Sequence, residues 1–119
     1  MYTYIVHAAY GWLAVTGVLH FLVDVVWHHL RGTRGSESDS MLYYGVHAAF
    51  SLGQVVFGLL GLFLARRAIG VLREAPVMVL SLVAGLAWLE MSMLFMDYWE
   101  PTFNAAVFCV LVLAAFFKR

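Results

Sequence analysis

Hydropathy along the chain is the feature that most limits what this sequence can fold into. Four windows are each long and apolar enough to cross a bilayer, which takes about 20 mostly apolar residues: 4–29, 41–65, 76–96 and 102–117. Of the 119 residues, 64% are apolar and 12% are charged, whereas an ordinary soluble domain is about 25% charged. We therefore predict an all-α fold, an integral membrane four-helix bundle in which residues 1–119 form a single four-span domain.

The charge balance excludes one class of partner and favours another. Seven basic and seven acidic residues give a formal net charge of zero, and the sequence has no basic patch that could neutralise a row of phosphates. We expect no nucleic-acid partner. The partners we expect are membrane lipids and a hydrophobic small molecule.

The basic residues are divided unevenly between the two ends of the predicted spans. The end that holds both termini carries the larger share: Arg66, Arg67, Arg73, Lys118 and Arg119. The other end has two arginines in a predicted loop over residues 31–40, diluted by nearby acids. Because cytoplasmic loops carry an excess of Lys and Arg, this distribution predicts that both termini are cytoplasmic.

Ionisable residues inside the spans are the strongest functional candidates, because charged groups are costly in hydrocarbon and usually functional there. His20, Asp24 and Glu90 are the candidate catalytic residues. His20 and Asp24 are four residues apart and therefore share one face of the first span. Counting 1.5 Å per residue from the span ends places Glu90 in the same half of the bilayer. We expect all three side chains to point into the bundle, where they can be paired.

Four further residues are candidate ligand-binding residues: His47, Trp88, Asp97 and Asn104. Of these, His47 and Asn104 are predicted in the same half of the bilayer as His20. A carboxyl group surrounded by hydrocarbon favours its protonated form, whereas one paired with imidazole ionises more easily, and such a division suits acid–base work. An ionised pair could instead balance a cationic amine, with Trp88 adding a cation–π contact. We predict a pocket for a lipophilic, isoprenoid or polycyclic ligand, in which a double bond could be isomerised.

Three other interpretations stay open at this point. His20, Asp24, His47 and Glu90 could bind zinc or iron, or His20 and His47 a haem, although the leading interpretation requires neither metal nor cofactor. A small proton-coupled transporter could use Glu90, and it would need to form a homo-oligomer; Gly53, Gly58 and Gly61 offer close-packing surfaces for that purpose. The chain could also be an accessory subunit without chemistry of its own.

The segment 12–24, in which a tryptophan leads to His20 and then to Asp24, is similar to the first span of the emopamil-binding protein group, or EXPERA domain, which includes sterol isomerases and the sigma-2 receptor. Glu90 resembles the acid late in that group's third span, and Asn104 resembles the asparagine of its fourth. His47 stands where the group has an acid, so the sequence departs from it there. The resemblance implies an intramembrane cavity for a flat apolar ligand.

Overall fold

The computed structural model describes residues 1–30 and 37–119, with the side chains of residues 37–40 left out. Its helical segments are Tyr2–Phe21, the π-helical Leu22–Trp27, His28–Leu30, Glu37–Arg67, Ile69–Leu72, Ala75–Phe95 and Glu100–Lys118. The described part of the chain contains no strand. Residues 31–36 of the predicted loop, with Arg31 and Arg34, lie outside the described residues. The helix that follows begins at Glu37, so residues 37–40, predicted as loop, are helical.

Within these segments, four continuous helical stretches are long and apolar enough to cross a membrane, as predicted. We call them span 1 (Tyr2–Leu30), span 2 (Met41–Arg67), span 3 (Ala75–Phe95) and span 4 (Glu100–Lys118). Their bounds differ from the predicted windows by two residues or fewer at each end. A proline stands in the first turn of spans 3 and 4, where its missing N–H costs no hydrogen bond. The side of the membrane that holds the termini stays a prediction from the charge distribution.

Span 1 is the central helix of the bundle. It packs against span 2 on one side and span 4 on the other, and span 4 packs in turn against span 3. Spans 2 and 3 meet chiefly through a large side chain, because the Trp88 ring lies 5.6 Å from the Phe57 ring, centroid to centroid. The same indole packs edge-on against Phe108, which is fully buried at the centre of the core.

Close approach of spans 1 and 2 depends on glycines. A Cβ atom added at Gly58 would lie 2.7 Å from the backbone nitrogen of Ala14, and one added at Gly61 would overlap the Tyr10 ring. The expectation that Gly58 and Gly61 form a surface between copies is therefore wrong, because span 1 of the same chain covers both, and Gly53 lies against Trp88 of span 3. Small residues that let two helix backbones approach are a common packing device in membranes.

Two buried hydrogen bonds fix the other helices to span 1. The Tyr10 hydroxyl lies 2.7 Å from the Ser81 hydroxyl of span 3, and the Trp12 indole N–H donates to the Asn104 carbonyl of span 4 at 2.9 Å. Each bond satisfies a polar group that hydrocarbon cannot. Together they set how far the start of span 4 lies from the second half of span 1, which is where the polar residues converge.

Candidate functional site

The candidate site is a hydrogen-bonded chain of three side chains between spans 1 and 2. His20 Nδ1 lies 2.9 Å from Asp24 Oδ2, and His20 Nε2 lies 2.9 Å from His47 Nδ1. A neutral His20 that donates from Nδ1 to the carboxylate must accept at Nε2, so His47 then donates from Nδ1. The structure thus confirms the predicted His20–Asp24 pair and adds His47 to it directly.

A π-helical turn carries the acid of this chain. The regular α-helix of span 1 ends at Phe21, one residue after His20, and Leu22–Trp27 continues it with π geometry. Such turns are rare and occur frequently at functional sites. Here the turn contains Asp24, and its side chain still reaches His20, the residue four positions earlier.

Aromatic rings enclose the two imidazoles. The His20 and His47 rings are stacked with their centroids 5.0 Å apart and their planes within 16°. Phe50 covers His20 at 4.9 Å, and Tyr43 covers His47 at 4.2 Å. Both histidines are buried, whereas the Asp24 side chain keeps 13% of its surface exposed. Of the three hydrogen-bonded side chains, the Asp24 carboxylate is therefore the one that an incoming molecule contacts first.

Tyr98, in the turn between spans 3 and 4, closes the site. Its hydroxyl lies 3.5 Å from His47 Nδ1. Burial together with the nearby Asp24 carboxylate raises the pKa of the phenol far above its usual value, so Tyr98 stays protonated. Tyr98 was not among the site residues predicted from the sequence. The sequence feature that could have identified it as a site residue is its position one residue after Asp97, at the level of an intramembrane acid.

A cleft of about 380 Å³ opens between spans 1 and 4, beside the three hydrogen-bonded side chains. Apolar side chains and a few polar groups line it: Leu19, His20, Val23, Asp24, Tyr98, Glu100, Pro101 and Asn104. Ligand pockets commonly measure about 300–1,000 Å³ and combine an apolar wall with a small number of polar groups. Asn104, which was predicted as a ligand-binding residue, therefore lines the cleft, opposite His20 and Asp24.

The other predicted site residues do not join the cluster. The side chain of Glu90 is exposed on the outer surface of span 3, so the expectation that it points into the bundle is wrong. Asp97 is exposed in the turn before span 4. Trp88 is half-buried in the aromatic core near Phe57, at a different level from the cleft. The functional roles predicted for these three residues stay predictions.

A second aromatic–histidine contact leads from the cluster towards the end of span 1. The His28 ring is stacked on Tyr43 with centroids 4.4 Å apart, and Tyr43 covers His47 on its other side. His29 lies edge-on to Tyr44 at 5.7 Å. His28, His29, Tyr43 and Tyr44 therefore continue the polar cluster outwards. His7 lies at the other end of span 1, where its Nδ1 is 2.8 Å from the Thr3 carbonyl oxygen.

Comparison with protein-family models, with curated proteins and with solved structures finds no match for this chain.

Proposed function

We propose that this integral membrane protein binds a lipophilic small molecule in the cleft between spans 1 and 4, with the polar group of the ligand against Asp24. The observation that carries the proposal is the cleft itself. There the buried, hydrogen-bonded side chains of the site reach an apolar cavity that is open to a ligand. Leu19 and Val23 supply apolar wall, and Asn104 supplies a further polar contact. A basic or hydroxylated ligand fits this combination of groups.

The reaction that this arrangement suits is a shift of a double bond by proton transfer. A proton is added to one carbon of the double bond, which leaves a carbocation at the other, and a proton is then lost from the next carbon beyond that cation, so the double bond moves by one position and the mass of the ligand does not change. Asp24 would exchange protons with the ligand, and His20 would pass them to His47 along the hydrogen-bonded chain. The acid–histidine pair beside an intramembrane cleft also supports the proposed likeness to the EXPERA group.

Filling the cleft tests ligand binding. We expect organic extraction of the purified protein, followed by mass spectrometry, to yield an apolar compound near one equivalent per chain. Val23→Trp, which fills the cleft, should reduce its amount at least about fivefold. Val15→Trp is the matched control, because Val15 lies on the exposed surface of span 1 and does not line the cleft. Equal extracts from wild type and both variants would contradict the proposal.

Solvent deuterium tests the proton transfer separately. The extracted compound is returned to the protein in D₂O, and its mass is measured over time. Isomerisation through Asp24 and His20 predicts that deuterium enters the ligand with wild-type protein and that His20→Ala slows the incorporation about a hundredfold or more. A compound that binds but gains no deuterium would leave ligand binding in place and exclude the isomerase function.

Metal binding is a second candidate function, favoured by the same three residues. His20, Asp24 and His47 each offer one ligand atom, and these atoms lie within 4.8 Å of one another. Two histidines and one carboxylate with open positions are typical of non-haem iron and of catalytic zinc. A haem would need iron between the imidazoles, with nitrogens roughly 4 Å apart. The imidazoles are instead in direct contact, which disfavours a haem.

Cobalt distinguishes this candidate from the leading one. Metal binding predicts a visible Co²⁺ absorption band at one ion per chain that is lost in His47→Ala and kept in His7→Ala. His7 is the matched control, because its ring is hydrogen-bonded at the opposite end of span 1. Absence of Co²⁺ and Zn²⁺ binding by wild-type protein would exclude metal binding and would not affect the proposal of a lipophilic ligand.

A further inference from the structure

Span 3 carries an outward stripe of residues at coiled-coil spacing. Its members follow one another at alternating intervals of four and three residues, and all of them are exposed: Val79, Val83, Leu86, Glu90 and Met93. The opposite face, which includes Ser81, Gly85 and Ser92, is buried within the chain. Heptad spacing places residues in a single seam that fits a second helix at a small crossing angle.

Glu90 is the anomalous member of this outward stripe. It lies five residues before Phe95, the last residue of span 3, and therefore about 7.5 Å inside the span at 1.5 Å per residue. That distance exceeds one helical turn, so the side chain is too short to bring its carboxyl group to the membrane surface. Acidic residues at such depth almost always face protein or water rather than lipid.

We propose that a second copy of this chain docks along the outward stripe and brings the two Glu90 side chains together. Two copies inserted in the same direction are related by a two-fold axis along the membrane normal, and such an axis places a residue on the seam opposite itself. Facing carboxyl groups satisfy each other when one is protonated and donates its hydrogen bond to the other. A second copy therefore supplies the partner that Glu90 needs, at the depth where it is needed.

The packing of the single chain agrees with this assignment. Only 22% of the membrane-crossing window of span 3 is buried, against 33–39% in the other three spans. Span 3 packs along its length chiefly against span 4, and its contacts with spans 1 and 2, through Ser81 and Trp88, lie off the outward stripe and leave it free. The inference is independent of the ligand proposed above.

Disulfide cross-linking in native membranes tests the interface. In a Cys109→Ser background, which removes the native thiol, Leu86→Cys and Met93→Cys each place one thiol on the outward stripe. Disulfides need Cα atoms about 4.4–6.8 Å apart, so we expect oxidation to give a product at twice the 13.3 kDa chain mass. Val110→Cys is the control, because Val110 is exposed on span 4 and lies off the stripe.

The masses of the products decide the identity of the partner. A dominant product at twice the chain mass for the two stripe positions, at least about tenfold above Val110→Cys, supports the second copy. A product of any other mass, or no excess over the control at either position, overturns it. Two stripe variants are used so that misfolding of one does not decide the result.

Changes at Glu90 test the carboxyl pair itself in the Leu86→Cys background. Glu90→Gln keeps two groups that can hydrogen-bond to each other, so cross-linking should stay within about twofold of its starting level. Glu90→Lys opposes two ammonium groups and should reduce cross-linking about tenfold or more. Undiminished cross-linking in Glu90→Lys would overturn the pairing. A matched Val110→Lys variant, which places a lysine on the exposed surface of span 4 off the stripe, should keep its cross-linking.

Discussion

The contact between spans 1 and 2 depends on Gly58, and Gly58→Ala tests it. The added Cβ would lie 2.7 Å from the Ala14 nitrogen and 2.8 Å from the Tyr10 carbonyl oxygen. Ordinary contacts of a Cβ atom begin near 3.4 Å, so the two helices must separate by several tenths of an ångström. Both contacts are with backbone atoms of span 1, so a change of side-chain rotamer cannot relieve them.

The expected cost follows from two opposing effects. Overpacking a close contact costs roughly 1–3 kcal/mol, whereas replacing glycine by alanine inside a helix stabilises it by about 1 kcal/mol. Gly45 lies in the same helix, and a Cβ added there meets nothing within 4 Å. Gly45→Ala should therefore gain stability up to about 1 kcal/mol. Gly58→Ala should be less stable than Gly45→Ala by roughly 1–3 kcal/mol, because the helix-propensity gain is common to both.

The assay is reversible unfolding in detergent micelles, followed by tryptophan fluorescence, with wild type and both alanine variants in parallel. Gly58→Ala should unfold at lower denaturant than wild type, and Gly45→Ala at equal or higher denaturant. If the two variants have the same free energy of unfolding, spans 1 and 2 do not approach each other at Gly58. The position of His47 beside His20 would then lose its structural support as well.

Further expected outcomes use the same unfolding assay or the extraction experiment. Trp12→Phe removes the indole donor to span 4 and should cost about 0.5–1.5 kcal/mol. Ser81→Ala leaves the buried Tyr10 hydroxyl without its partner and should cost about 1–3 kcal/mol, whereas the double variant Tyr10→Phe/Ser81→Ala should recover part of that loss. Glu90→Gln should leave the amount of extracted ligand unchanged, because Glu90 is exposed away from the cleft; a large loss would return Glu90 to the site.

Local sequence patterns were sufficient to predict the spans and the central pair of the site. Apolar windows set the helices, because hydrocarbon requires about 20 apolar residues whatever the tertiary packing. The interval of four residues placed His20 and Asp24 together, because that interval is fixed by helix geometry. His47 was predicted at the right depth, and the close packing of spans 1 and 2 at Gly58 then brings it against His20.

The rotation of span 3 could not be predicted in the same way. Its sequence is apolar nearly all round, so hydropathy does not say which face turns inward. Small residues decide it, because Gly85 and Ser92 let span 4 approach and Ser81 hydrogen-bonds to Tyr10 of span 1, which turns Glu90 outward. Tyr98 was missed for a related reason. Its place beside Asp24 depends on how the turn after span 3 folds back over span 1.

Photochemical labelling tests the central claim, that a lipophilic ligand occupies the cleft beside Asp24, His20 and His47. A photoreactive benzophenone amino acid replaces Leu19, which lines the cleft, and in a second protein it replaces Val15, which lies outside it. After irradiation in native membranes, intact-mass measurement should show one dominant adduct at position 19 and mixed phospholipid adducts at position 15. The same phospholipid mixture at both positions would contradict the claim.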